Sequence, residues 1–428
     1  MKTYRSVTVG SVFLTVVLCF TATAQDGRIV SKQYDDGGVY EGTLKNGLQD
    51  GIGTYRLPNG YEYTGAWVSG EILGQGEAHF PNGAVYQGHF AKGKPDGIGK
   101  ITFGDGGTYQ GNWSEGVISG RGVSVYSNGT RYDGEFRDGM HNGSGIMTYP
   151  DGAIYEGTWV NNKKQGQAKV TYPDGALYIG EINDGLRDGE GTLTMPDGVI
   201  YEGTWQAGEI SGAGRLEQPN GDNYEGMLEG GRRQGKGVVV YANGNIYNGD
   251  FDQDQRHGQG EFTSEDGYKY TGSWSRGQIL GEGKAIYPDG TIYSGSFSAD
   301  LPDGTGTITY PSGEVYKGQW SAGNIHGRGL ATYPNGVTYE GEFRDTRYHG
   351  KGVMTHTDGY RYDGDWQDGE RSGNGTATYP DGATYEGAFQ NGKRQGKGQL
   401  TMPDGFNYDG DWQEGEMTGA GVATYSNG

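Results

Sequence analysis

Three groups of residues in this 428-residue chain have types and spacings that could do chemistry. The first is the complete set of eight tryptophans: Trp67, Trp113, Trp159, Trp205, Trp274, Trp320, Trp366 and Trp412. Their regular recurrence sets flat rings in a row. Such a row is either the core of a thin sheet or an exposed ladder that holds a partner, a glycan or another flat group. The second group is three basic pairs, Lys163-Lys164, Arg232-Arg233 and Lys393-Arg394, read as loop residues. They are the local candidates for binding a phosphate or lipid headgroup. The third is Asp250, Asp252, Asp254 and Glu261, which have the acidic spacing of a calcium loop. Gln255 stands where that loop needs glycine, and no flanking helices are expected, so these read as solvated acids.

Other chemistry is thinly represented. Gly-x-Gly pairs such as Gly281-Glu282-Gly283-Lys284 lack the Gly-Lys-Ser/Thr ending of a phosphate-binding loop. His257, His326 and His349 stand at one position of a repeating frame, and His326 and His349 are one repeat apart. Two strands per repeat would separate that pair by roughly 10 Å, too far for a shared metal. Cys19 is the only cysteine. No catalytic constellation, metal site or cofactor is expected, and the chain reads as a protein without enzymatic activity.

What positions all of these residues is a 23-residue period. The segment Tyr316–Thr338 returns without insertion or deletion from Tyr40 onwards, seventeen times in all. A fixed period of this length marks a repeat array. Numbered from its tyrosine, the frame has Tyr at position 1 and Gly at positions 3, 12 and 21 in every copy. Position 14 is Gly except at Ala168, and position 8 is Gly in thirteen copies. These positions hold 80 of the 87 glycines, so the glycine is structural and does not make a flexible linker. All the tryptophans are at position 5, in every second copy with one slip.

Positions 14–18 alternate apolar and variable residues, as a half-buried strand does. Pro-Asp-Gly or Pro-Asn-Gly follows and makes a hairpin turn. Positions 22, 23, 1, 3 and 5 then run back as a second strand, and positions 6–11 read as a looser loop. The expected fold is all-β: an elongated array of antiparallel hairpins forming a single twisted sheet or trough. Only 32% of the chain is hydrophobic, thin for one large core but sufficient where each unit packs on its neighbours.

Residues 1–24 differ in kind. Lys2 and Arg5 precede the apolar run Val12–Phe20, and Ala22-Thr23-Ala24 is a small-residue cleavage site. This reads as a secretory signal peptide cut before Gln25. Residues 25–39 form a half-repeat leading into the array at 40–428. The expected location is the periplasm or the exterior, with membrane association as a further reading. The net charge of −20, more negative once Lys2 and Arg5 are removed, argues against nucleic acid as a partner. Four Asn-x-Ser/Thr sequons, at Asn112, Asn128, Asn142 and Asn374, matter in a eukaryotic secretory pathway.

The frame resembles the MORN (membrane occupation and recognition nexus) repeat. Tyr155-Glu156-Gly157-Thr158-Trp159 and Tyr201-Glu202-Gly203-Thr204-Trp205 reproduce its opening, and the resemblance covers Tyr40–Gly428. It implies successive antiparallel hairpins used for scaffolding, self-association and membrane-proximal docking. The reading of the whole chain is an exported, non-catalytic scaffold that docks proteins or membrane-associated partners. The alternative is a ligand-binding trough for glycans or phospholipid headgroups. Self-association is expected through the terminal strands, because Gly419–Tyr425 and its turn lack a following strand to pair with.

Overall fold

Each copy of the frame folds into two antiparallel strands. The computed structural model describes residues 27–426, which contain 35 β-strands and no helix. Residues 1–24, where the signal peptide is expected, lie outside the described residues. The chain divides into two units, one ending at Lys164 and the other starting at Gln165. In the first, β1 (Val30–Gln33) pairs with β2 (Val39–Lys45), which pairs with β3 (Leu48–Arg56), and so on in chain order. The second follows the same rule, up to the pairing of β34 (Asn407–Gln413) with β35 (Glu416–Thr424).

The copy that begins at Tyr316 shows how sequence becomes structure. β26 (Val315–Ser321) carries frame positions 23 to 6, and β27 (Asn324–Thr332) carries positions 9 to 17. Between them Ala322 and Gly323 both have positive φ, 46° and 83°. That is a two-residue turn of the primed type, whose twist matches the strands it joins. After β27, the Tyr333 amide donates to the Val337 carbonyl at 2.8 Å and the Gly336 amide to the Tyr333 carbonyl at 2.9 Å. Asn335 closes this second turn by accepting from the Val337 amide at 3.1 Å. The Asn or Asp preference at position 20 is therefore a side-chain cap on the turn.

Two features depart from the sequence reading. Positions 6–11 are not a loop: the chain turns on positions 7 and 8 alone and is back in a strand by position 9. The expected strand at 14–18 is longer and earlier, at 9–17. Alternation was hidden by a bulge. Gly318 faces Gly329 and Trp320 faces Ile325, so Gln319 alone opposes His326, Gly327 and Arg328. Gly327 takes φ 75° there, and the Gln319 side chain accepts from the Arg328 amide at 2.7 Å. One irregularity per repeat shifts the inside–outside pattern and bends the strand.

Position 8 is not glycine in four copies: Asn162, Asp254, Asp300 and Thr346, all with φ of 67° or 68°. The first three compensate by accepting from the backbone amide of position 10 in the preceding copy, at 2.7 Å for His141, 2.9 Å for Arg233 and 2.7 Å for Ile279. Thr346 makes no such bond among the described residues and is β-branched. Left-handed backbone costs an L-residue roughly 1–2 kcal/mol. Thr346→Gly is expected to slow hydrogen exchange in the two strands flanking the turn, a gain of roughly 1 kcal/mol. Faster exchange would contradict this account of the turn.

Candidate functional site

One face of each unit is closed by aromatic rings. The tyrosine at position 1 lies flat along its own strand. Tyr316 donates its hydroxyl to the Gln319 carbonyl at 2.9 Å, and its ring passes over Gly318 and Gly329. A Cβ on Gly318 would fall 2.4 Å from that hydroxyl and 2.5 Å from the Gly329 Cα. Positions 3 and 14 face each other across such strand pairs, so side-chain space is tight on both. The position-5 ring then meets two tyrosines edge-on. Trp320 sits 5.1 Å from Tyr293 and 5.6 Å from Tyr316, and Phe343 continues the chain 5.0 Å from Tyr316. Edge-to-face pairs in this range each contribute about 0.5–1.5 kcal/mol beyond their burial.

The eight tryptophans are between 2% and 9% exposed. Their rings are covered by the tyrosines and by position 10, so they form a core ladder and present no open stacking face. Six of them donate the indole N–H to the position-14 carbonyl of the preceding copy, from 2.9 Å at Trp412 to 3.3 Å at Trp320. The indole nitrogens of Trp113 and Trp159 have no hydrogen-bond partner among the described residues.

The basic pairs are on strands, at positions 9 and 10, not on loops. Neighbours on a strand point to opposite faces, so the two members of each pair are separated. Lys163, Arg232 and Lys393 are exposed, and Lys393 pairs with Glu414 at 2.6 Å. Lys164 turns onto the rings, its ammonium 4.6 Å from the centre of Tyr155 and 5.1 Å from Tyr149. Arg233 and Arg394 lie over the next copy's position-5 ring, 5.1 Å from Phe251 and 4.1 Å from Trp412. Sequence reasoning missed three further members of this set. Arg187 lies 3.9 Å from Trp205, Arg256 lies 4.2 Å from Trp274, and Arg371 lies 5.5 Å from Phe389. The shared frame position was the signal that would have found them. Each of the five arginines also donates to the position-8 carbonyl of the following copy at 2.6–2.8 Å. Position 10 thus staples one repeat to the next.

At the same position, His141 stacks on Tyr132 with centroids 3.8 Å apart. Its Nε2 meets the Tyr126 hydroxyl at 2.8 Å, and its Nδ1 has no hydrogen-bond partner among the described residues. Burial pushes its pKa down from 6.5 to about 4. Between those values the unfolded chain binds a proton that the folded one refuses, so this copy's stability is intact above pH 6.5 and declines as pH falls towards 4. His141→Ile, which copies Ile118 one repeat earlier, is expected to flatten that slope in denaturant titrations. An unchanged slope would place the titration elsewhere.

The acidic quartet is dispersed. Asp250 pairs with Lys236 at 2.7 Å and Asp254 with Arg233 at 3.3 Å. Among the described residues no three His, Cys, Asp or Glu side chains come together as metal ligands. His349 lies 3.8 Å from Asp368.

The opposite face of the second unit is open and polar. A cavity of about 950 Å³ runs over the glycine rows 295, 306, 318, 329, 341 and 352. Its sides come from the residues that alternate with those glycines, including Thr307, Lys317, Arg328, Glu340, Lys351 and Asp363. Lys351 is tied to Asp365 at 2.6 Å, while Arg328 is 81% exposed and only 4.0 Å from Glu342. This trough has a flat backbone floor and charges of both signs on its walls.

A family model described as the MORN repeat matches the chain in seventeen segments, from 40–60 and 63–85 through to 408–428. Alsin of Rattus norvegicus is 49% identical over 55 residues, 12% of this chain and 3% of that protein. Alsin of Homo sapiens is 46% identical over a stretch of the same length. The matched stretch thus spans a small fraction of either relative. Among solved structures, the TCP domain of Drosophila melanogaster SAS-4, in complex with a proline-rich motif of Ana2, is 15% identical. That likeness covers 36% of this chain and 85% of the other with a TM-score of 0.24, too low to carry an argument.

Proposed function

The chain belongs to the MORN-repeat family, and we propose that it is an exported, non-catalytic scaffold that docks a protein partner in the polar trough of its second unit. The family itself supports a repeat scaffold engaged in protein or membrane binding. The observation that carries the finer reading is the contrast between the two faces. One is sealed by the buried tyrosine and tryptophan ladder. The other holds a cavity of about 950 Å³ with a glycine floor and mixed charge on its walls. A floor without side chains lets a second chain lie close, and walls of both signs suit a polypeptide better than a uniformly anionic lipid surface. Among the described residues no helix is long and apolar enough to cross a membrane.

The test places a photo-crosslinker at Thr307, in the trough, and another at Asn335, on an exposed turn. A defined polypeptide captured from Thr307 and not from Asn335 is the expected result. Equal capture at both sites, or a lipid or glycan adduct at Thr307, would overturn the reading. Export is tested by sequencing the N-terminus of the protein recovered outside the cytoplasm, where Gln25 is expected first.

A further inference from the structure

The polar trough has a period of its own, and that period restricts what can lie in it. Its floor passes from Gly295 through Gly306, Gly318, Gly329 and Gly341 to Gly352, each facing the next across a strand pair. The groove therefore runs across the strands and advances one copy for every two of them. At about 4.8 Å between strands, one copy is about 9.6 Å of groove. A polyproline II helix has three residues per turn and rises about 3.1 Å per residue, so it repeats after about 9.3 Å. A β-strand rises about 3.3 Å per residue but turns alternate residues to opposite sides, so its third residues face the floor only in every second copy. Of the two extended conformations, only polyproline II presents the same side chain to every copy. Strand twist of about 20–25° turns the groove in the left-handed sense, the hand of that helix, so a slight extension of it keeps step.

The floor favours the same conformation. Each floor strand is paired on both sides, so its N–H and C=O groups are already engaged and offer an incoming chain no ladder. Recognition by strand addition needs a free edge, which this face lacks. A polyproline II segment makes no internal backbone bonds and keeps its polar groups in water, and each proline in it removes an amide.

The walls select the charge. On one wall Arg328 faces Glu342 at 4.0 Å and Lys351 faces Asp365 at 2.6 Å, so its charges cancel in pairs. The other wall runs Lys317, Leu330, Glu340, Val353, Asp363 in pairing order. Glu340 is exposed and has no ion pair among the described residues, and Leu330 is 39% exposed. Asp363 meets Arg361 at 2.7 Å, an exposed pair that contributes less than about 1 kcal/mol and is open to a second cation. Glu340 and Asp363 hold the same frame position one copy apart, and that position is again acidic and exposed at Glu386 and Asp409. Lys317 ends the row.

We propose that the chain docked in the trough is a polyproline II segment with a basic side chain at every third residue. Its cations face Glu340 and Asp363, and its prolines lie over the glycine floor and against Leu330. The proposal rests on the docking reading of the trough and adds the conformation and charge of the occupant.

The test titrates a fluorescent peptide of four Pro-Pro-Lys triplets into the full chain at physiological salt, where attraction between distant exposed charges is screened. The control peptide has the same composition with its four lysines together at one end. Saturable binding of the triplet peptide, with the control about tenfold weaker, is the expected result. Glu340→Lys, an exchange on the surface, should weaken the triplet peptide by about tenfold. Lys317→Glu adds one more carboxylate to the row and should tighten the triplet peptide by about threefold while leaving the control unmoved. A control that binds as tightly as the triplet peptide, or a Lys317→Glu chain that binds the triplet peptide no better than the parent, would overturn the proposal. A polypeptide captured at Thr307 while the triplet peptide fails to bind sinks this proposal and leaves the docking reading standing. Triplet binding without capture at Thr307 strikes the docking reading alone.

Discussion

Gly318→Ala is expected to unfold its own repeat, whereas Gly329→Ala, directly across the strand pair, is expected to be tolerated. Both residues lie under the Tyr316 ring. The three atoms nearest a Cβ at Gly329 all belong to the Tyr316 side chain, at 2.4–2.5 Å. A Cβ at Gly318 would meet the Tyr316 hydroxyl, and also backbone: the Gly329 Cα at 2.5 Å and the Arg328 carbonyl oxygen at 2.6 Å. A ring can tilt and a paired strand cannot move without losing its register. The chain itself supports the distinction. Ala168 occupies position 14 in one copy and is buried there, with Tyr155 1% exposed and its hydroxyl still donating to the Thr158 carbonyl at 3.1 Å. Position 3 has no such exception. Overpacking in a core costs about 1–3 kcal/mol, so Gly329→Ala should fall near the bottom of that range and Gly318→Ala at or above its top. Hydrogen exchange across the strands flanking Gly318 would measure both. Equal losses for the two variants would show that the tyrosine ring, and not the backbone, sets the limit.

Much of this was legible in the sequence because the period repeats each constraint seventeen times. The hairpin fold, the Pro-Asx-Gly turn and the fixed register of glycine could all be read from one aligned frame. What could not be read were the features that break a period of two. The turn at positions 7 and 8 was hidden because most copies fill position 7 with a residue other than asparagine or glycine, such as Ser69, Glu115 or Ala322, and accept positive φ there. The bulge opposite Gln319 then displaced the apparent start of the strand. Position 10 was overlooked for a different reason. Its residues share no chemistry, running through Ile325, His141, Tyr348, Pro302 and Arg371, and share only a place against the rings. Adjacent basic residues drew notice as pairs, although on a strand it is the second member alone that reaches the aromatic face. The trough had no signature of its own, because its floor is backbone and its walls are the frame's variable positions.

Trp320→Ala is expected to produce the largest local loss of any single truncation discussed, about 3–5 kcal/mol. The indole is 7% exposed, donates to the Gly306 carbonyl at 3.3 Å and bridges Tyr293 and Tyr316 edge-on. Removing it leaves a cavity between two tyrosines that cannot close, because each is held flat by its own hydroxyl bond, Tyr293 to the Ser296 carbonyl and Tyr316 to the Gln319 carbonyl. The shape of the hole matters more than the loss of aromaticity. Phe297 and Phe343 fill the same position in the flanking copies, and Leu228 fills it elsewhere at 3% exposure. Trp320→Phe should therefore cost much less than Trp320→Ala. Because each repeat packs on its neighbours, the loss should spread to the adjacent copies and fade beyond them. Limited proteolysis should find new cleavage between about residues 293 and 345 while more distant repeats keep their protection. A Trp320→Ala chain as resistant as the parent would mean that the ring contributes little to the core, and would return the tryptophan ladder to consideration as a binding surface.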